Sequence, residues 1–213
     1  MEMINLYRSI TAGFLISIAS MIYANCQNHI LGALLFSLSL IAIIRYDAVI
    51  YTGSVGYCHF KLNDIIAIIL VLIGNIVGCC FSFLFPNNSY DIITQKLSMN
   101  VWQIMSGSIL CGVLVFIAIV LYYDCKNMFP TIMCVMAFIL AGGEGSITNI
   151  CYLFNARIFT LESLKFIILV IIGNAIGATI CKILLSECAN EVKNSGKKIQ
   201  KETSRNRSDS IYW

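Results

Sequence analysis

Few charged side chains fall inside the long apolar stretches of this chain: Arg45, Asp47, Glu144 and, near a helix end, Lys182. Charge in apolar surroundings is costly unless paired, so each is a candidate to hold a counter-ion or to draw one in. Lys182 sits close enough to an interface to snorkel out of the apolar layer. The other three lie beside two polar interruptions. One is Tyr51-Thr52-Gly53-Ser54-Val55-Gly56, just after Arg45-Tyr46-Asp47. The other is Ala141-Gly142-Gly143-Glu144-Gly145-Ser146-Ile147-Thr148-Asn149. Glycines mixed with hydroxyl and amide residues are what a helix broken at membrane depth needs. Its freed backbone groups are tolerable only inside protein or along a wet cavity. Half-helix ends there would offer amides to an anion or carbonyls to a cation. Two readings stay open for the charges: an ion-pair network of Arg45 with Asp47 or Glu144, or an Arg45 field that attracts an anion.

Catalysis is not indicated. The apolar stretches hold no histidine pair, cysteine–histidine dyad or nucleotide-binding loop, and the carboxylates at Asp47 and Glu144 lack a matching substrate geometry. Ten cysteines are scattered through apolar sequence with no C-x-x-C, so they read as small buried hydrophobes. No metal or cofactor is expected.

The elements that must carry these residues are helices in lipid. Of 213 residues, 59% are hydrophobic and 12% charged, with mean hydropathy +0.84, more apolar surface than a soluble domain of this size can hide. Polar clusters divide the chain into six segments, 9–24, 29–56, 63–85, 101–123, 129–154 and 164–186, each near or above the ~20 residues a span requires. The second and fifth are the interrupted ones. The first has no small-residue cleavage site and reads as a retained span. Residues 1–8 and 187–213 flank this span domain. The formal charge of +3 comes mostly from the tail, which reads as disordered and suits anionic lipid, not nucleic acid. Arg8, Lys61, Lys126 and the tail's basic residues would share one side, against Lys96, Arg157 and Lys165. Both termini are therefore expected in the cytoplasm of a cell-membrane protein.

A repeated phrase joins the two halves. Ile73-Gly74-Asn75-Ile76-Val77-Gly78 returns as Ile172-Gly173-Asn174-Ala175-Ile176-Gly177. With three spans per half the copies enter the bilayer in opposite senses, an inverted repeat with the solute path at its interface. The paired glycines read as helix-packing positions. The expected fold is all-α, with two inverted three-helix repeats and broken second and fifth helices.

These motifs, in this order, resemble the formate/nitrite transporter family over residues 8–186. Gly32-Ala33-Leu34-Leu35-Phe36-Ser37-Leu38-Ser39-Leu40 is similar to its G-A-x-F-S-L-G-L segment. Ala48-Val49-Ile50-Tyr51-Thr52-Gly53 is similar to A-E-L-F-T-G, and Gly143–Asn149 to F-E-H-S-I-A-N-M. Both Gly-Asn phrases match G-N-x-x-G. The resemblance implies an aquaporin-like homopentamer with one pore per protomer, passing small monovalent anions or their protonated acids such as formate, nitrite and hydrosulfide. It assigns Phe36, Leu40, Ile50, Val115 and Phe138 to apolar constrictions. Thr52 goes to the pore centre, where Gly112, Glu144, Gly145, Asn149 and Arg45 are also expected, and Lys96 to an anion-attracting position outside it.

Two departures stand out. The family's central histidine corresponds to Gly145, and its partner asparagine to Gly112. Arg45 and Asp47 are charges the family normally lacks there, and the acidic residue of A-E-L-F-T is Val49. The simplest proton exchange at the pore centre is thereby lost. Three consequences follow as alternatives: two glycines widen the path for a larger or neutral solute, Arg45 with Thr52 replaces the histidine in drawing anions, or the protein is a non-conducting membrane scaffold. The expected function is a channel for a small anion or weak acid with an altered pore centre.

Overall fold

The computed structural model describes backbone for residues 2–58 and 61–209, and side chains for 6–58 and 61–188. Nine helices form in chain order among these residues: α1 (Glu2–Asn25), α2 (His29–Arg45), α3 (Tyr51–Ser54), α4 (Leu62–Cys79), α5 (Tyr90–Leu97), α6 (Val101–Cys125), α7 (Phe129–Leu140), α8 (Ser146–Ala156) and α9 (Leu161–Asp209). Tighter 3₁₀ turns extend α3 to Tyr57 and α4 to Leu84. Among the described residues the structure is helical throughout, with no strand.

Local sequence sets the boundaries. Asn28 caps α2 by accepting from the amides of Ile30 and Leu31. Asn100 and Gln103 cap α6 reciprocally, and Pro130 sits in the first turn of α7. Among the described residues four helices are long and apolar enough to cross a membrane: Leu6–Asn25, Leu62–Leu84, Val101–Cys125 and Leu161–Cys188. The remaining two expected segments are broken, as their glycine and polar content requires. α2 ends at Arg45 and α3 restarts at Tyr51; α7 ends at Leu140 and α8 restarts at Ser146. Each gap contains one left-handed residue, Asp47 (φ 56°) and Gly142 (φ 75°).

Two differences from the sequence reading lie outside the spans. The connection 86–100 contains the short helix α5, whose mixed polarity hid it beside the apolar runs. Helical backbone also continues through the basic segment after Ser186, whose Glu, Lys and Arg residues are good helix formers. The side chains of that tail from residue 189 on lie outside the described residues.

Packing repeats between the halves. α1 crosses α4, and α6 crosses α9, in the most extensive contacts of the molecule, while α2 packs on α7 across the midline. Outward stripes match as well: Ile69, Ile73 and Val77 on α4, and Ile168, Ile172 and Ile176 on α9, are all roughly half exposed. An apolar stripe left open on each long helix is what lipid or a neighbouring subunit covers.

Candidate functional site

The repeated Gly-Asn phrases position both breaks. Asn75 is fully buried in α4. Its Oδ1 accepts the Tyr51 amide at 2.8 Å, and its Nδ2 donates to the carbonyls of Ser9 (2.7 Å) and Val49 (2.9 Å). Asn174 in α9 repeats the pattern. Oδ1 accepts the Ser146 amide at 2.9 Å, and Nδ2 donates to the carbonyls of Ser108 and Glu144, both at 2.8 Å. Each asparagine thus ties a long helix of its half to the residue entering and the residue opening the half-helix. The orphan amides and carbonyls of both breaks gain partners in this way. The backbone adds a matching pair, Val49 N–H to Arg8 O at 3.2 Å and Glu144 N–H to Gly107 O at 3.0 Å.

Glycine makes these crossings possible. A Cβ on Gly13 would collide with the carbonyl oxygen of Asn75, and a Cβ on Gly112 with that of Asn174. Gly112 therefore belongs to the α6–α9 crossing. This corrects its assignment to the pore centre: the face of α6 that looks inward carries Cys111 and Val115, one turn apart.

On one side a vestibule of about 470 Å³ opens between α5 and the ends of α1, α2 and α7. Lys96, Asp91 and His29 line it, with Glu144, Thr148 and Asn149 on its wall. Glu144 is 1% exposed. Lys96 Nζ donates to both its oxygens, at 2.6 and 2.7 Å, and Asn149 Nδ2 donates to Oε2 at 2.7 Å. Asn149 Oδ1, buried, has no protein partner. A carboxylate so enclosed is stable only because lysine and amide together satisfy it. Lys96 is accordingly bound to Glu144, where the sequence reading had it as an anion lure outside the pore.

Below the vestibule the path closes to a neck whose free volume is about 20 Å³. Phe36 and Phe138 meet edge-to-face, centroids 6.3 Å apart at 86°, and wall both spaces. Leu40, Ile50 and Val115 complete the apolar ring with Ile16, Val135 and Ile147, and Thr52 faces it. The structure thus brings together all five expected constriction residues, Thr52 and Gly145. A Cβ on Gly145 would lie 3.3 Å from Thr148 Oγ1 and 3.4 Å from Cys111 Sγ, so the glycine opens onto these two side chains. Two glycines do not make a wide bore here: Gly112 faces elsewhere, and the ring closes around Gly145.

Arg45 is not at this centre. It is exposed at the end of α2 and lines neither space. Of the two readings left open for these charges, the network pairing Arg45 with Asp47 or Glu144 gives way to two other pairs, Arg8 with Asp47 and Lys96 with Glu144. Arg8 makes an ion pair with Asp47 at 2.5 Å, and its Nε also donates to the Asp47 carbonyl. Sequence reasoning missed Ile16, Cys111, Val135, Ile147 and Thr148. Helical spacing carries a signal for two of them: Cys111 lies four residues before Val115, and Val135 three before Phe138.

Comparison with known proteins agrees with this fold. The family model described as formate/nitrite transporter matches residues 3–187. A solved structure described as a pentameric formate channel with formate bound superposes with a TM-score of 0.69 at 18% identity, covering 91% of this chain and 97% of that one. Another, described as an FNT family ion channel, gives a TM-score of 0.71 at 17% identity, covering 87% and 88% respectively. No curated protein matches the chain by sequence.

Proposed function

The chain belongs to the formate/nitrite transporter family, and from that premise we propose that it passes a small monovalent anion across its membrane as the protonated weak acid. The family makes it an integral membrane channel or transporter, not an enzyme. One observation carries the finer reading: a charged vestibule of about 470 Å³ meets an apolar neck of about 20 Å³. An anion entering that neck sheds its water and meets no cation. The desolvation cost runs to many kcal/mol, while a neutral acid of the same size loses only a few hydrogen bonds. Formic, nitrous and hydrosulfuric acids are among the smallest solutes such a narrow neck could pass; a three-carbon polyol is bulkier.

The roles proposed for the site residues follow from their places. Phe36, Phe138, Leu40, Ile50 and Val115 strip solvent from the solute. Thr52 and the open side of Gly145 supply the polar contact midway, and Lys96, Glu144 and Asn149 shape the vestibule. By analogy with the pentameric channel it resembles, the chain assembles as a homopentamer with one path per protomer. The channel domain spans residues 9–186, and the charge distribution favours cytoplasmic termini.

Flux into liposomes tests this reading. Protein reconstituted alone should carry formate, nitrite or hydrosulfide between about pH 5 and 8, and leave glycerol at the rate of empty vesicles. Glycerol flux without acid flux would move the protein to neutral-solute channels. No flux of any of the four would favour a scaffold.

A further inference from the structure

The neck has an uneven chemistry. Most of its wall is aliphatic or aromatic, but one side presents Thr52, Cys111 and Thr148 around the space left by Gly145. Cys111 is 1% and Thr52 3% exposed, and among the described residues neither side chain has a hydrogen-bond partner. A buried hydroxyl without a partner, aimed at a space this small, is a contact kept for whatever passes. The third head, Cys111 Sγ, is a thiol, which donates and accepts only weakly.

We propose that Cys111 is a specificity-determining residue of the neck, disfavouring water while admitting small neutral acids. This rests on the weak-acid reading above. A water molecule needs two to four good partners to reside in a buried site. Thr52 and Thr148 give it two such partners, the least it needs; the thiol gives only a poor third, and the aliphatic ring none. A neutral acid has less to lose, because it demands fewer strong hydrogen bonds for its size and fills the ring with apolar or polarisable surface. Serine in place of cysteine is smaller and hydrogen-bonds strongly, so it would supply water with a good third partner. Valine would fill the space and remove the polar side altogether.

The test measures two fluxes on the same proteoliposomes: osmotic water permeability, and acidification of the lumen by an inward formic acid gradient. Wild type, Cys111→Ser, Cys111→Val and the control Cys181→Ser, a buried cysteine outside the neck, are compared at equal oligomer content. Cys111→Ser should raise water permeability about fivefold or more over wild type. Cys111→Val should lower acid flux about tenfold without raising water flux, and Cys181→Ser should match wild type in both. Unchanged water permeability in Cys111→Ser would overturn the assignment, as would equal gains in Cys181→Ser. The two readings fail separately. Absent acid flux in wild type with water admitted by Cys111→Ser removes the weak-acid function and keeps Cys111 as the water barrier. Normal acid flux with Cys111→Ser indistinguishable from wild type does the reverse.

Discussion

Lys96 grips Glu144 with one ammonium shared between both carboxylate oxygens, 2.6 and 2.7 Å away, at the wall of the vestibule. The lysine is 18% exposed and the glutamate 1%, so the pair is formed largely out of water. Its positive charge is spent locally, and a free field drawing anions from solution is not what this arrangement provides.

Removing Lys96 should therefore act first on stability. Lys96→Ala leaves a buried carboxylate supported by Asn149 alone, and should destabilise the protein by about 3 kcal/mol. The double variant Lys96→Ala/Glu144→Gln should recover much of that loss. A thermal-shift comparison in detergent of the two variants and wild type checks this. Equal melting of Lys96→Ala and wild type would show that the pair carries no structural weight.

Because the vestibule's lysine is already neutralised, initial flux should change by less than about twofold as ionic strength rises from about 20 to 300 mM. Steered encounter falls steeply with salt, whereas entry of an uncharged solute does not. A decline of tenfold would restore Lys96 to the role of anion lure.

Arg45 and Arg8 should differ sharply. Arg45→Ala removes an exposed side chain away from both spaces and should leave flux within about twofold. Arg8→Ala unties Asp47 from α1, frees the turn that carries Ile50 and Thr52 into the neck, and should lower flux several-fold at unchanged oligomeric state. Parallel liposome assays of the two variants decide the matter. Loss of flux in Arg45→Ala alone would place the anion-attracting group where the sequence first suggested it.

The two central glycines should also separate. Gly112→Ala drives a Cβ into the Asn174 carbonyl and should prevent stable assembly. Gly145→Ala meets only the ends of Thr148 and Cys111 at 3.3 and 3.4 Å, so the protein should assemble with a narrower neck and reduced flux. Size-exclusion profiles of both, with flux for Gly145→Ala, test this directly.

Much of this architecture was legible in the sequence, for physical reasons. Helices in lipid advertise themselves by long apolar runs, and breaks by glycine and hydroxyl residues that an intact helix would not place there. The repeat was visible too, but the purpose of its asparagine was not. Asn75 and Asn174 reach backbone atoms 24 to 66 residues away, contacts that no local spacing reveals. The ring residues were found by resemblance; chain chemistry alone cannot tell Phe36 or Leu40 from lipid-facing neighbours. The charges were the hardest to place. Which carboxylate meets which base depends on the turn at Asp47 and on α5, which carries Lys96 over Glu144. The one-residue difference between Gly112 and Cys111 turns on helix rotation, about 100° per residue, and only the packed α6–α9 pair fixes it.

The central claim, passage as neutral acid through a neck without a titrating ring, is tested most directly by formate flux against pH at fixed total formate with the membrane potential clamped. Above the acid's own pKa the rate should fall about tenfold for each pH unit, tracking the protonated fraction, with no net current. A rate independent of pH, accompanied by current that follows the formate gradient, would show that the bare anion passes and would contradict the account.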